Sequence, residues 1–384
     1  MTRPRMLIAG GGPVGLALAA ASPTFDVHVI EASPARAAPL PEEFDVRVYA
    51  VSPGSRDILR DLGAWERLDA RRIAPVRRME IFGDEGARLA FSARPGSSLA
   101  WILEAGRLTR ALEEQVDALD NIQLTRGVAA SGFGADASGS WAQLASGERI
   151  DGDVLVGADG PDSGVRSALS MPAEEVPYGE AAVVANFETE SGHESTARQW
   201  FRDDGVLAWL PLPGQRISIV WSTPSSHAAE LAALEPREFE RRVRDAGGSV
   251  LGDLRLISAV ARFPLRSIRV AEPVVAGAAL VGDSAHAVHP LAGQGVNLGF
   301  QDARCLAEVL EHRSELERPG DLRVLRRYAR GRREDVTAMH FVTDRLDRLF
   351  ASGTPGARRL RNLGLRLVDS QGWAKAALAN RAMR

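Results

Sequence analysis

The sequence predicts an α/β fold into which an antiparallel β-sheet is inserted and which closes in a C-terminal helical region. Three observations predict it. Short apolar runs at residues 6–9, 27–30, 154–157 and 278–281 end at glycine or acidic residues and alternate with helical stretches, as buried parallel strands do. Between about Val176 and Phe263 the texture changes to longer β-rich runs that carry Phe187, Trp200, Phe201, Trp209 and Trp221. Beyond Val296 the periodicity is helical.

Each element has its own local reason. Residues 6–9 form a strand, 10–15 a tight glycine turn and 16–21 a short helix, and 27–30 form a second strand ending in Glu31. Ser52 caps a helix over 52–65 with Pro53 at its first position. Residues 79–82 and 87–91 flank Gly83-Asp84-Glu85-Gly86, a hairpin signal. A helix over 106–119, a strand over 123–128 and the buried strand 154–157 follow. Strands at 181–188, 199–202, 206–211 and 216–221 come next, interrupted afterwards by a helix at 236–246. Helices over 296–312 and 321–350 close the pattern. The expected domains are a nucleotide-binding unit in three pieces (1–75, 97–175 and 271–320), an inserted sheet in two (76–96 and 176–270) and a helical region (321–384).

Composition excludes several classes. The balance of 45% hydrophobic and 25% charged residues is that of a globular chain, and a net charge of −3 gives no general affinity for nucleic acid. Cys305 is the sole cysteine, so neither a disulfide framework nor a thiolate metal site is expected, and a reducing cytoplasm fits. The basic start runs into glycines after four apolar residues, which reads as a strand rather than a signal peptide. No stretch approaches the ~18 apolar residues that span a bilayer.

Gly10-x-Gly12-x-x-Gly15, with Pro13 and Val14 inside it, follows an apolar strand and opens a helix. The first glycine permits the turn, the second lets backbone approach a pyrophosphate, and the third allows close helix–strand packing. Glu31 stands 21 positions after Gly10, against about 20 for the acid that holds a ribose hydroxyl. The pattern is that of a Rossmann-like dinucleotide site. It does not separate FAD from NAD, although Glu31 would repel a 2′-phosphate.

Asp159-Gly160-Pro161-Asp162-Ser163-Gly164-Val165-Arg166 follows the 154–157 strand. It reads either as a turn or as a second cofactor loop, with Arg166 pairing to Asp162 or Asp159, or meeting a phosphate. The stretch from Gly282 to Gly299 is more decisive. Asp283 ends a strand where a carboxylate accepts hydrogen bonds from a ribityl chain. Pro290 stiffens the loop, Gly293 and Gly295 let backbone N–H groups approach a flat ring, and Val296 and Asn297 open a helix whose dipole stabilises an anionic reduced flavin. This favours a flavin over a nicotinamide as the resident cofactor. His286 and His289 are three apart but lack a third ligand nearby, so no metal site is expected. His286 reads as a packing residue of the loop, and His289 as the residue facing the ring.

Together these motifs resemble the class A flavoprotein monooxygenases of the para-hydroxybenzoate hydroxylase type. Four stretches resemble more narrowly the ubiquinone-biosynthesis hydroxylase group (UbiH/UbiF/VisC-like): 45–55 running on to 62–65, 102–108, 289–299 and 360–369. The resemblance covers nearly the whole chain. It implies non-covalent FAD, NAD(P)H as co-substrate and O2, with a hydroxyl group transferred from a flavin hydroperoxide to an electron-rich aromatic substrate, here a polyprenylated phenol or quinol. It implies that Glu31 holds the adenosine ribose and Asp283 the ribityl chain. Arg47 and Arg107 would meet flavin or pyrophosphate, and Val128, at the end of its strand, would meet adenine through its backbone. Asp159 belongs to the cofactor set, and His289 is the candidate catalytic group. This chain carries Ala105-Gly106-Arg107 where family members commonly have Glu-Asn-Arg.

Two other functions are compatible with the same motifs: hydroxylation of a soluble aromatic or polyketide, and a flavin-bearing, non-catalytic subunit of a ubiquinone-biosynthesis complex. The aromatics between Gln199 and Trp221 either line a substrate pocket or form sheet core. Residues 351–384 carry seven basic side chains and one acid, Asp369, a net +6 in a chain of net −3, interleaved with Leu360, Leu363, Leu367 and Trp373. That pattern suits an interfacial helix on anionic lipid, a partner-docking surface or a helix packed on the protein. A cytoplasmic protein peripheral to the inner membrane is the location expected from it.

Overall fold

A computed structural model of the chain describes residues 3–34, 43–83, 86–288 and 295–351. Its helices are α1 (Pro13–Ala20), α2 (Pro53–Asp61), α3 (Ala105–Asp117), α4 (Gly164–Ala168), α5 (Ser225–Ala232), α6 (Pro236–Ala246), α7 (Gly295–Glu311) and α8 (Leu322–Ala351).

The apolar runs assemble into one six-stranded sheet. Its order is Val274–Val275, Ala278–Leu280, Val154–Gly157, Arg5–Ala9, Asp26–Glu31 and Ile122–Arg126. All neighbours are parallel except the first pair. Leu7 lies opposite Leu155, which lies opposite Ala278, so three distant parts of the chain meet at the sheet centre. These strands are unbroken hydrophobic runs because both faces are covered. On one side Met6 and Ile8 pack with Leu16, Leu108, Leu112, Phe300, Leu306 and Tyr328 of the helices.

On the other side Leu7 and Leu155 pack against Ala142, Leu144 and Ile150. Those residues belong to a three-stranded antiparallel sheet, Ala130–Ala135, Ser140–Leu144 and Arg149–Gly152, which the strand pattern did not predict. Its glycines hid it. A β-carbon on Gly134 would lie 2.6 Å from Trp141 Cζ2, so the residue that weakens the strand signal is the one that seats the indole.

The inserted sheet has nine strands. Eight run in the order His286–Ala287, Ala261–Val270, Ala173–Thr189, Arg216–Pro224, Gly205–Leu212, Thr196–Arg202, Arg78–Phe82 and Arg88–Ser92, and Leu254–Leu256 pairs beside Ala173–Thr189. Pairing is antiparallel except where Thr196–Arg202 runs parallel to Arg78–Phe82. Phe187, Trp209 and Trp221 point to the face covered by Leu231 of α5 and by Phe239 and Val243 of α6. Trp200 shares that face, stacked on Phe82 at 5.3 Å and edge-on to Trp209 at 4.9 Å. Sheet core is therefore the reading that holds for three of the four aromatics between Gln199 and Trp221, and for Phe187 beside them. Strand alternation turns Phe201 alone to the opposite face. One end of that face, at Ala197 and Leu212, packs on Ala74, Val76 and Ile102 of a small sheet made by Val48–Val51, Ala100–Glu104 and Ala74–Val76.

Several boundaries differ from expectation. α1 begins at Pro13 rather than residue 16, because proline suits the first helical position and Gly12 takes the extended N-cap conformation. α2 stops at Asp61, just before Gly63 at φ +76°, and a 3-10 turn takes over at Trp65–Arg67. The strand ending at Arg126 leaves Val128 outside it, beyond Gly127 at φ +72°. α5 was not predicted. Among the described residues no helix is long and apolar enough to cross a membrane.

Candidate functional site

The glycine motif is built by contact rather than by flexibility alone. Gly10 has φ +106°, and a β-carbon there would lie 2.9 Å from Asp159 Cα. A β-carbon on Gly15 would be driven into Gly10 O and stand 3.2 Å from Ala158 Cβ. Gly12 differs from both: nothing lies within 4 Å of its β-carbon position. It is the N-cap of α1, whose end carries no side-chain cap, and Pro13 follows. The first and third glycines thus clamp the turn onto the neighbouring loop, while the second borders open space at a helix N-terminus.

Glu31 is fixed from two sides. Its Oε2 accepts the Gly11 N–H at 2.6 Å and its Oε1 accepts the Ser33 N–H at 2.8 Å. Val128 sits beside it, donating its N–H to Glu31 O at 3.3 Å. Val14 packs where α1 meets α7, its Cγ1 3.4 Å from the β-carbon position of Gly282 and its Cγ2 overlapping that of Gly299. That makes Val14 the joint between the first motif and the last.

Asp159 accepts the Val165 N–H through Oδ2 at 3.1 Å, while its Oδ1 is buried without a partner among the described residues. Arg166 follows neither carboxylate alternative. It binds Glu175 at 2.9 Å, Pro161 O at 2.8 Å and Ser284 O at 3.0 Å, and Asp162 pairs with Arg266 instead. The guanidinium thereby ties the Asp159 loop to the Asp283 loop, because α4 turns it inward to a 7% exposed position.

The Asp283 loop is held at every residue around the carboxylate. Gly282, at φ +62°, donates its N–H to Asp302 Oδ2 at 2.9 Å. Ser284 Oγ donates to Gly157 O at 2.6 Å. His286 Nε2 lies 2.5 Å from Asp302 Oδ2, and Arg332 Nε lies 2.7 Å from Asp302 Oδ1. Burial pushes the Asp283 carboxyl up, opposed by the charges of His286 and Arg47. Burial alone would raise Asp302 too, but His286 and Arg332 hold it below the ordinary carboxylate range. His286 is raised, its burial outweighed by Asp302. Sequence reasoning missed Asp302 and Arg332; the only signal was an acid seven residues into an otherwise ordinary helix.

Arg47 places its guanidinium 5.5 Å from the Tyr49 ring centre and close enough to Asp283 for their charges to couple. Arg107 is drawn to Glu104 at 2.9 Å, where Arg72 also binds at 2.8 Å. Asn297 does not open its helix, which starts at Gly295. Its amide is committed to the neighbouring strand, accepting the Ser52 N–H at 2.9 Å and donating to Ala50 O at 2.8 Å. What α7 can offer a ligand near Gly295 and Val296 is therefore backbone N–H. A β-carbon on Gly295 would stand 3.9 Å from Asp283 Oδ1. His289, Pro290 and Gly293 lie outside the described residues. No cluster of metal-ligating side chains occurs among the described residues.

These groups converge outside the C-terminal ends of the parallel strands, where α/β sheets bind nucleotides. The open cradle at Gly12, the orphaned buried Asp159 Oδ1 and the Asp283 carboxylate fit a dinucleotide with a polyol arm. The model for the FAD binding domain family matches residues 4–341. The chain belongs to that family.

Relatives within the FAD-binding family match over nearly the full length. The chain is 33% identical to 3-demethoxyubiquinol 3-hydroxylase of Escherichia coli, covering 96% of this chain and 95% of that one. It is 32% identical to the mitochondrial ubiquinone biosynthesis monooxygenase of Xenopus tropicalis, covering 95% and 90%. Among solved structures the Klebsiella pneumoniae protein HpxO complexed with FAD matches with TM-score 0.77 at 18% identity, over 99% and 98% of the two chains. Pseudomonas aeruginosa PqsL in complex with 2-aminobenzoylacetate matches with TM-score 0.78 at 22% identity, over 95% and 99%. The protein is an FAD-dependent monooxygenase.

Proposed function

We propose that this enzyme hydroxylates the ring of a polyprenylated phenol or quinol in ubiquinone biosynthesis, with NAD(P)H as reductant and O2 as oxidant. The observation that carries the reading is the near full-length match to two ubiquinone-pathway hydroxylases from a bacterium and a vertebrate. When bound and reduced, FAD supplies the activation of O2 and the transfer of one oxygen atom to an electron-rich ring. The chain's own residues bind and orient. Gly12 and Pro13 receive the pyrophosphate on a turn that Gly10 and Gly15 hold in place, Glu31 receives the adenosine ribose, and Val128 the adenine through its backbone. Asp159, Arg47 and Arg107 border the pyrophosphate and flavin. Asp283 takes the ribityl hydroxyls, while Pro290, Gly293, Gly295, Val296 and Asn297 shape the loop against the ring. Val14 serves the site by packing. The face of the inserted sheet that carries Phe201 looks away from α5 and α6, which supports its use as the substrate wall. His289 is the proposed handler of the ring hydroxyl's proton.

The decisive measurement is NAD(P)H oxidation by the purified yellow protein, with and without a prenylated phenol, alongside the quinone intermediates of a deletion strain. Stimulation together with an accumulated under-hydroxylated quinone precursor supports the reading. Stimulation only by small soluble aromatics overturns the substrate. The basic 351–384 segment is proposed to hold the enzyme on anionic lipid; a chain ending at Phe350 that binds anionic liposomes unchanged overturns that part.

A further inference from the structure

His286, read from the sequence as a packing residue of its loop, occupies an unusual position. It is 5% exposed, and its two ring nitrogens have opposite fates. Nε2 meets the Asp302 carboxylate at 2.5 Å, so Nε2 carries a proton and donates it. Asp302 is itself fully buried and anchored from behind by Arg332 at 2.7 Å, which also pairs with Asp335 at 2.8 Å. The imidazole therefore cannot rotate without breaking a buried charged contact. Nδ1, by contrast, is buried and has no partner among the described residues.

An unmatched buried nitrogen is costly unless something arrives to satisfy it. The charged groups around it are few. Asp302 comes from α7, Arg332 from α8 and Asp283 from its own loop, while Arg269, opposite it on the adjoining strand, is exposed. None of them bonds Nδ1. His286 is three residues after Asp283, and the two side chains feel each other's charge. With Nε2 committed to Asp302, Nδ1 is the nitrogen left for a ligand, and it is a donor in the protonated ring that Asp302 favours.

We propose that His286 is a cofactor-binding residue: Asp302 and Arg332 lock its imidazole through Nε2, and Nδ1–H donates to an acceptor oxygen of FAD beside the group held by Asp283. The inference rests on the FAD reading. It assigns the two nitrogens separate tasks, and side-chain amides separate them. In His286→Gln the amide nitrogen takes the place of Nε2 and keeps the bond to Asp302, with nothing at Nδ1. In His286→Asn the amide nitrogen takes the place of Nδ1 and loses Asp302.

The test is titration of flavin-stripped full-length protein with FAD, read by flavin fluorescence, with circular dichroism to verify folding. The expected result is that His286→Gln weakens FAD binding about ten-fold or more, while His286→Asn stays within about three-fold of wild type. The reverse order, with Gln neutral and Asn weakened, overturns the proposal and leaves His286 a brace of the loop. If both variants fail to fold, the wild-type protein labelled with 15N-histidine decides. The His286 Nδ1 resonance moving on FAD addition while Nε2 stays is the expected outcome, and a stationary Nδ1 overturns it. Wild-type protein that takes up no FAD would sink the cofactor reading itself, a result distinct from an FAD-binding protein with an indifferent His286.

Discussion

Val14 on α1 and Gly299 on α7 touch so closely that a β-carbon on Gly299 would overlap Val14 Cγ2. The contact joins the first cofactor motif to the last, and it admits no added atom on either side. Gly299→Ala should therefore destabilise the protein by about 1–3 kcal/mol, the usual effect of overpacking a tight core. Urea unfolding measures it. The double variant Val14→Ala with Gly299→Ala should recover most of the loss, and a failure to recover would place the strain elsewhere.

Glu31 spends both carboxylate oxygens on backbone N–H groups, at 2.6 Å from Gly11 and 2.8 Å from Ser33. It is thereby oriented before any ribose arrives. Glu31→Ala should weaken FAD binding about ten-fold, and Glu31→Gln less, since one of the two acceptors survives. Isothermal titration of the stripped protein checks the order.

Asp283 puts function against stability. Burial, the largest influence, raises its carboxyl, so the stability carried by its protonated form is present at low pH and lost as pH rises through the folded value, from the ordinary 3.8 upward. Asp283→Asn should raise the melting temperature of the flavin-free protein at neutral pH by about 2 °C while weakening FAD binding at least about ten-fold. Melting curves at acid and neutral pH should converge for wild type and variant at the acid end.

Asp302 has the opposite sign. Its carboxyl is held low by His286 and Arg332 against its burial, so its contribution is present above the ordinary carboxylate value and is lost as pH falls through the folded value. Asp302→Ala leaves the buried Arg332 guanidinium and the His286 ring short of a partner, and a loss of about 3–5 kcal/mol is expected from chemical denaturation at neutral pH. A variant as stable as wild type would show that Asp335 alone satisfies Arg332.

Much of this site was legible because its parts are local. The three glycines and Glu31 are spaced by the geometry of one turn and two strands, and Asp283 ends a strand that hydrophobicity alone marks out. The Asp302–Arg332 pair was not legible, because it depends on how two helices cross and each residue has an ordinary helical context. The aromatics of the inserted sheet were ambiguous for the same reason. Strand alternation assigns Trp200 and Phe201 to opposite faces, but only the packing of α5 and α6 on the sheet says which face is closed, and that docking leaves no mark in the strand pattern. The Trp141 sheet was hidden because glycines needed for packing also erase the periodicity that marks a strand. The Glu175 partner of Arg166 was not legible, because two acids in its own loop stood nearer in sequence than a glutamate nine residues away.

The neighbouring strands Arg5–Ala9, Val154–Gly157 and Ala278–Leu280, followed by the seating of α7 on α1, have a consequence for the life of the chain. The centre of the nucleotide sheet cannot close until residue 280 has left the ribosome, and the groove at Gly12 has no far wall until α7 follows. Long-range pairings of this kind close late and slowly. FAD therefore finds no complete site on a chain that has not yet released α7, and its uptake must follow the assembly of all three parts of the sheet.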